Sequence, residues 1–369
     1  MKSAKAKKTG KIILRIFLTL LAVLILFTVV TFIFHSIQNG QELDALKEQG
    51  YYNPVSAGEY SLNVAKFGNA KGRHTIVGMA GMGSGDYSIL VRKMTADIEK
   101  DNLVVFVDRA GYGLSDDTEK EMTIENIIED YRTALRNAEI SPPYVLMPHS
   151  IAGAYANYWS SKYPDEIEGI AILDGSQLDE NAFSDTEVQD VNYQRFLSLL
   201  SKIGFSRYVI RNYIYLFPEE YSAEEQRLGD ALMLRTMSSH APISEGNLIR
   251  QNTQKVWNEM VTNDIPKIYI CSSWGARTKE ELLEKNKWTN TQIERNHLDV
   301  PLRPVTYEGN EEIIDKILSE TEKTVKETLV PYADKMGNCQ IIFLPGEHQI
   351  YSQKPKECGD IVENFLNKL

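Results

Sequence analysis

Cysteine is scarce in this sequence: Cys271, Cys339 and Cys358 are the only three in 369 residues. Three thiols cannot build the disulfide framework of a small secreted scaffold. Cys339 and Cys358 could pair, while Cys271 lies in an apolar run where a free thiol acts as a small hydrophobe. No Cys and His are spaced as zinc ligands and no H-E-x-x-H occurs, so neither a metal nor another cofactor is expected. Positive charge is short over most of the chain. Of 40 Lys and Arg residues six precede residue 35, leaving 34 against 51 Asp and Glu, a net charge of −17. A surface of that sign repels phosphate backbones and argues against nucleic acid as a partner. Internal repeats are absent, and the basic N-terminus is the only compositionally biased tract.

Acid is missing altogether from the first 34 residues, which hold Lys2, Lys5, Lys7, Lys8, Lys11 and Arg15. Behind this basic segment (1–15) comes an uncharged run, Ile16 to Phe34, of 19 residues. As a helix it is about 28 Å long, close to the hydrocarbon thickness of a bilayer. The run exceeds the apolar core of a cleaved signal, and His35-Ser36-Ile37-Gln38 offers no small-residue cleavage pattern, so a retained anchor is expected. The basic cluster places the N-terminus in the cytoplasm and the rest of the chain outside the cell membrane. A polar linker is expected over 35–58 and a single domain over 59–369.

Within that domain short apolar runs recur at Thr75–Met79, Leu103–Val107, Tyr144–Met147, Gly169–Leu173, Lys267–Cys271 and Gln340–Leu344. Most are rich in Val and Ile and end in Gly, Pro, Asp or Ser, as buried parallel strands do. Helical patterns lie between them, for instance Ile124, Ile127, Ile128, Tyr131 and Leu135 behind Thr123 as N-cap. The alternation predicts an α/β fold with a mainly parallel central sheet flanked by helices. From about 176 to 263 the strand signal stops, leaving helical stretches at Tyr193–Ile203, Tyr208–Leu216 and Ala223–Met237. An insertion of that length is too long for a loop and reads as a helical cap.

The run Tyr144–Met147 leads through Pro148-His149-Ser150-Ile151-Ala152-Gly153 straight into a helical segment. Strand, sharp turn and helix make the setting of a nucleophile elbow, with Pro148 where a glycine is usual. Ser150 could alternatively be a plain helix N-cap. Upstream stand Gly78-Met79-Ala80-Gly81-Met82-Gly83 and Asp108-Arg109-Ala110-Gly111-Tyr112-Gly113-Leu114-Ser115. In these motifs, over most of residues 60–369, the chain resembles the α/β-hydrolase superfamily. The glycine-rich motif is similar to the family's loop after its third strand, with Ala80 where His is common. The motif from Asp108 resembles the family's D-x-x-G-x-G-x-S turn. The spacing Gly81-Met82-Gly83-Ser84-Gly85 departs from the G-x-G-x-x-G of dinucleotide-binding loops.

The resemblance implies roles. Ser150 would be the nucleophile, and the backbone N–H groups of Met82 and Ile151 would stabilise the oxyanion. His348, in Leu344-Pro345-Gly346-Glu347-His348-Gln349, follows the last apolar run where the family's catalytic histidine resides. The other five histidines, His35, His74, His149, His240 and His297, lack that placement. The family's acid usually follows the strand Lys267–Cys271, where this chain has Ser272-Ser273-Trp274 and no carboxylate before Glu280. Asp174 ends the preceding strand, a position some members use, so Asp174 is the expected acid and Glu280 the alternative. Relatives with halide or epoxide chemistry use an aspartate nucleophile, which this chain lacks. The expected activity is hydrolysis of a small-molecule ester, a lipid-like one being suggested by the anchor, through an acyl-enzyme on Ser150. An amide or peptide hydrolase, and a membrane-tethered binding protein without turnover, are the alternatives.

Overall fold

The structure of the chain, a computed structural model, describes residues 2–188, 190–208, 221–295 and 305–369. The expected helical stretch Tyr208–Leu216 falls almost wholly outside the described residues, and His297 does so entirely.

Eight strands form one sheet: β1 (Pro54–Ser56), β2 (Ser61–Gly68), β3 (Thr75–Met79), β4 (Leu103–Val107), β5 (Tyr144–Pro148), β6 (Ile167–Leu173), β7 (Lys267–Cys271) and β8 (Cys339–Phe343). Their order is β1-β2-β4-β3-β5-β6-β7-β8. The strands from β4 across to β8 pair in parallel, and β2 runs against its neighbours. The parallel strands β3 to β7 are almost wholly buried, as expected of strands covered on both faces. The helices are α1 (Lys2–Glu48), α2 (Tyr87–Thr95), α3 (Ile124–Asn137), α4 (Ala152–Lys162), α5 (Val191–Lys202), α6 (Ala223–Met237), α7 (Ala241–Glu259), α8 (Lys279–Arg295), α9 (Glu311–Thr324), α10 (Val330–Met336), α11 (Ile350–Gln353) and α12 (Pro355–Leu366).

Local chemistry explains several boundaries. Thr123 caps α3, its hydroxyl accepting from the Asn126 N–H. Ser222 and Glu225 form a reciprocal capping box at the start of α6, satisfying donors that a helix start leaves over. The buried face of α3 is Ile124, Ile127, Ile128, Tyr131, Ala134 and Leu135. These join β5, β6 and the fully buried Trp159 of α4 in one core.

Two features depart from the sequence reading. Residues 35–58 are not an irregular polar linker: α1 continues without a break to Glu48 and lies against the domain. Leu46 is buried there, and Glu42 accepts two hydrogen bonds from Arg207 at 2.8 and 2.6 Å. β1 then extends the sheet edge, so the folded unit begins before residue 59. Secondly, helices interrupt the sheet twice. Where the sequence predicts a helical cap, after β6, stand α5, α6 and α7. A further helical insertion, α8 to α10, separates β7 from β8. The stretch of α1 from residue 10 onward is long and apolar enough to cross a membrane, with a mean hydropathy of 3.0 in its most apolar window. All three cysteines are free thiols, Cys339 and Cys358 included.

The sheet order reverses between β3 and β5, since the chain leaves β3 for β4 on one side and returns to β5 on the other. Loops at the carboxyl ends of two such strands diverge and leave a crevice, the usual binding position in open α/β sheets. The glycine-rich loop follows β3 and Ser150 follows β5.

Candidate active site

β5 is held on both sides up to its last residue. Pro148 pairs with Met79 of β3, and His149 bridges to Leu173 of β6 while its N–H donates to the Met79 carbonyl at 3.0 Å. At Ser150 the backbone turns to φ +55°, a left-handed conformation that costs a non-glycine residue about 1–3 kcal/mol. α4 starts two residues later. The turn thrusts the serine side chain out of the strand end, which a plain N-cap in extended conformation would not do. Crowding around it is severe. A Cβ on Gly81 would lie 3.0 Å from the Ser150 Cβ and 2.8 Å from the His149 Nδ1. Only glycine lets the loop after β3 come this close to the serine.

His348 sits in the turn between β8 and α11. That turn is fixed by Ser272 Oγ donating to the Glu347 carbonyl at 3.0 Å, and by the His149 Nε2, 3.0 Å from the His348 carbonyl. Gln349 follows and leads into α11. The His348 Nε2 lies 2.9 Å from Ser150 Oγ, and its Nδ1 lies 2.7 Å from Asp174 Oδ2. With a carboxylate at Nδ1, that nitrogen holds the proton and Nε2 is left to accept from the serine hydroxyl.

Asp174 ends β6 at φ +43° and is buried. Its Oδ1 accepts from the N–H groups of Ser272 (2.7 Å) and Ser273 (3.0 Å), and its Oδ2 from the Ser273 hydroxyl (2.5 Å) as well as His348. Burial alone would raise this carboxyl's pKa. The hydrogen bonds from His348, Ser273 and Ser272 outweigh burial and hold it below the ordinary value. Ser272 and Ser273 follow β7, the position at which the superfamily that the sequence resembles usually has its acid. In this chain that position supplies donors to a carboxylate on the adjacent strand. The alternative acid Glu280 lies elsewhere: it is exposed in the first turn of α8, and the carboxylate on His348 is Asp174.

The two amides assigned to an oxyanion hole are Met82, on the glycine-rich loop, and Ile151, at the start of α4. Among the described residues neither N–H donates to a protein acceptor, so both are available to a ligand. The loop is held from behind by Arg109. Its guanidinium donates to the carbonyls of Ala80 (2.5 Å) and Gly81 (3.0 Å) and to Glu245 of α7 (3.2 Å). Glu245 also accepts from the Tyr155 hydroxyl at 2.8 Å. Arg109 and Glu245 have side chains 1% and 0% exposed, so this ion pair ties the glycine-rich loop to the cap out of reach of water. The turn Asp108–Ser115 is structural: the Asp108 carboxylate accepts from the Leu114 N–H at 2.9 Å and from Asn63 at 3.1 Å.

The structure thus brings together Ser150, His348, Asp174, Met82 and Ile151. Sequence reasoning missed five contributors, in three groups. His149 is buried 4.5 Å from the His348 ring, and burial, followed by the neighbouring His348, drives its pKa down so that it stays neutral. Ser272 and Ser273 support Asp174, and the absence of an acid there was their only trace. Arg109 and Glu245 are far apart in sequence, and nothing in the pattern links them. His74 and His240 pair with Glu168 and with Asp117 and Glu119, away from the serine, and His35 contacts Arg207.

No family model matches the chain. It is 34% identical over 203 residues to the uncharacterized protein YbdG of Bacillus subtilis (strain 168), a match covering 55% of this chain and 61% of YbdG. The chain therefore spans about three fifths of that relative's length. Among solved structures it is similar to Cfl2 from Burkholderia cenocepacia, with a TM-score of 0.55 and 14% identity over 85% of this chain and 95% of that one. The haloalkane dehalogenase DatA from Agrobacterium tumefaciens C58 is similar with a TM-score of 0.54 and 15% identity, over 86% and 96%. At such low identity what is shared is the architecture, and the chain has the α/β-hydrolase fold.

Proposed function

We propose that the chain is a membrane-anchored serine hydrolase that cleaves a carboxylic ester. The observation that carries this reading is the hydrogen-bonded line from Ser150 Oγ through His348 to Asp174, with spans of 2.9 and 2.7 Å, on a serine held at φ +55°. A serine hydroxyl is a weak nucleophile until a base removes its proton. His348 Nε2 takes that proton as Oγ bonds to the carbonyl carbon. The carbonyl oxygen becomes an anion facing the free N–H groups of Met82 and Ile151. His348 then gives the proton to the leaving alkoxide as the ester C–O bond breaks. Water repeats the sequence on the acyl-enzyme, with His348 taking its proton and returning it to Ser150, and the carboxylic acid departs. Asp174 fixes the imidazole tautomer and stabilises its positive charge throughout.

The serine at the elbow favours acyl transfer over the dehalogenation named for the structural neighbour, and an amide would be attacked by the same groups. The length and apolarity of α1 and the six basic residues before residue 16 support an anchor with the N-terminus cytoplasmic and the catalytic domain outside. The test uses the full chain in detergent with p-nitrophenyl esters and anilides of increasing acyl length. Ester turnover that disappears in Ser150→Ala is expected. Turnover that survives the substitution overturns the nucleophile, and a folded parent inert towards every ester and anilide overturns the enzyme.

A further inference from the structure

Helix α5 of the cap is built inside out. Its inward positions are Ser198 and Ser201, the first donating to the Ser238 carbonyl at 2.6 Å and the other 2.5 Å from the Ser206 hydroxyl. Its outward positions include Tyr193, Phe196 and Leu199, exposed by 57%, 54% and 54%. A cap helix in water buries its apolar stripe and exposes its polar one. A contiguous apolar face turned outward marks a surface that meets something apolar.

What it meets is indicated by the next turn of chain. α5 passes through Gly204 into a short 3-10 turn, Phe205–Tyr208, and this turn packs on α1. The Phe205 ring stands edge-on to Phe27 at 5.9 Å, and the Tyr208 ring stacks on Phe27 at 6.2 Å. The Tyr208 hydroxyl lies 3.4 Å from the hydroxyl of Thr31. Phe27 and Thr31 belong to the uncharged run that ends at Phe34. At about 1.5 Å per residue, Phe27 lies roughly 10 Å inside that end. Arg207 of the same turn points the other way, to His35 and to Glu42 beyond the run. One turn of the cap therefore sorts its aromatic side chains to the depth of hydrocarbon and its cation to the depth of head groups. Interfacial helices rest at a similar depth, about 5–10 Å into the boundary.

We infer that α5 and the turn after it are inserted in the membrane leaflet on the catalytic domain's side, with the apolar face of α5 in the acyl chains. The occupant of that face is lipid. The substrate that follows is an ester whose acyl chain already lies in the same leaflet, reaching Ser150 past the cap without crossing bulk water. The substrate part rests on the reading of the chain as a serine hydrolase; the insertion does not.

The experiment uses the full chain reconstituted in phosphatidylcholine–phosphatidylglycerol vesicles, spin-labelled through Phe196→Cys. Collision rates with oxygen and with a water-soluble nickel chelate are compared with labels at Val23→Cys, within the span, and Lys316→Cys, on exposed α9; the unsubstituted protein sets the thiol background. Oxygen access at 196 matching that at 23, with the chelate excluded, is expected. Chelate access matching that at 316 overturns the insertion, and exclusion of both reagents means that protein covers the face and also overturns it. In parallel, Phe196→Asp with Leu199→Asp should lower by tenfold or more the ratio of vesicle-borne long-chain ester hydrolysis to p-nitrophenyl acetate hydrolysis. An unchanged ratio overturns the substrate class. If the parent turns over neither substrate, the hydrolase reading fails while the collision data still decide the insertion.

Discussion

Removing the carboxylate of Glu245 strands a guanidinium where no water reaches it. Arg109 keeps its bonds to the Ala80 and Gly81 carbonyls in Glu245→Ala, but its countercharge is gone. Breaking a buried pair from one side costs about 3–5 kcal/mol, a large part of the 5–15 kcal/mol that holds a typical domain together. At roughly 2 °C per kcal/mol for a domain of this size, the melting temperature should fall by about 6–10 °C. Replacing both partners with apolar residues of similar volume, Arg109→Met with Glu245→Leu, removes the unpaired charge and should recover part of that loss, since the Tyr155 hydroxyl and the carbonyls Arg109 held lose their partners. Activity should not recover. The double variant leaves the carbonyls of Ala80 and Gly81 without their donor and frees the loop that presents the Met82 N–H. Loss of one oxyanion donor costs about 100- to 1000-fold in kcat, and a loosened loop should cost an appreciable part of that. The assays are near-ultraviolet circular dichroism melts and p-nitrophenyl ester kinetics on the three proteins. A double variant with parental stability and parental kcat would refute the claim that the pair positions the loop.

Other perturbations separate further parts of the site. Asp174→Asn should reduce kcat by about 1000- to 10,000-fold through the wrong imidazole tautomer, whereas Glu280→Gln should leave kinetics unchanged; equal effects in the two would contradict the assignment of the acid. Ser273→Ala removes one of the donors that hold the Asp174 pKa low. Because a lowered carboxylate pKa confers its benefit above that value and loses it as pH falls through it, the variant's activity should fail at a higher pH on the acid side, read from a kcat/KM profile. Asp86 is a different case: it is fully buried, no other described residue gives its carboxylate a hydrogen bond, and burial, with Asp230 adding to it, pushes its pKa up to about 8. A raised acid pKa stabilises the fold below the unfolded value near 4 and loses that contribution as pH rises through 8. Asp86→Asn should therefore flatten the decline in stability between pH 5 and 8 and be the more stable protein at pH 8, by on the order of 3 kcal/mol. Denaturant melts at several pH values check this, and a parallel decline in the variant would exclude Asp86 as its source.

The sheet was legible where burial on both faces makes a strand apolar throughout, as in β3 to β7. β2 was not, because it alternates and carries Asn63 and Lys66 among its apolar residues. The helices α8 to α10 were not read as a further insertion, since α8 has a highly polar sequence with little periodic signal. At the site, Ser150 and His348 were marked by their place after strands, and Asp174 by standing at a strand end. Contacts that exist only through space left no mark. Ser272 and Ser273 meet Asp174 because β6 and β7 are neighbours in the sheet, and Arg109 meets Glu245 across 136 positions. The periodicity of α5 was readable, but which of its faces turns inward is decided by its neighbours.

The unbroken course of α1 turns what the sequence presented as a leash into a strut. A flexible tether of the two dozen residues at 35–58 would let the catalytic domain wander over about 25–30 Å and face any direction. A helix clamped at Glu42 by Arg207 instead fixes both height and heading. Each residue added between Phe34 and Glu42 would shift Glu42 by about 1.5 Å along the helix axis and about 100° around it relative to Phe27 and Thr31, so the turn Phe205–Tyr208 could not keep its contacts on both sides. One added residue should therefore cost the turn one set of contacts, and seven, nearly two full turns, should bring the two faces almost into line again but about 10 Å further apart. Insertions at this place should therefore lower hydrolysis of vesicle-borne ester at every length, a loss that a flexible tether would not produce.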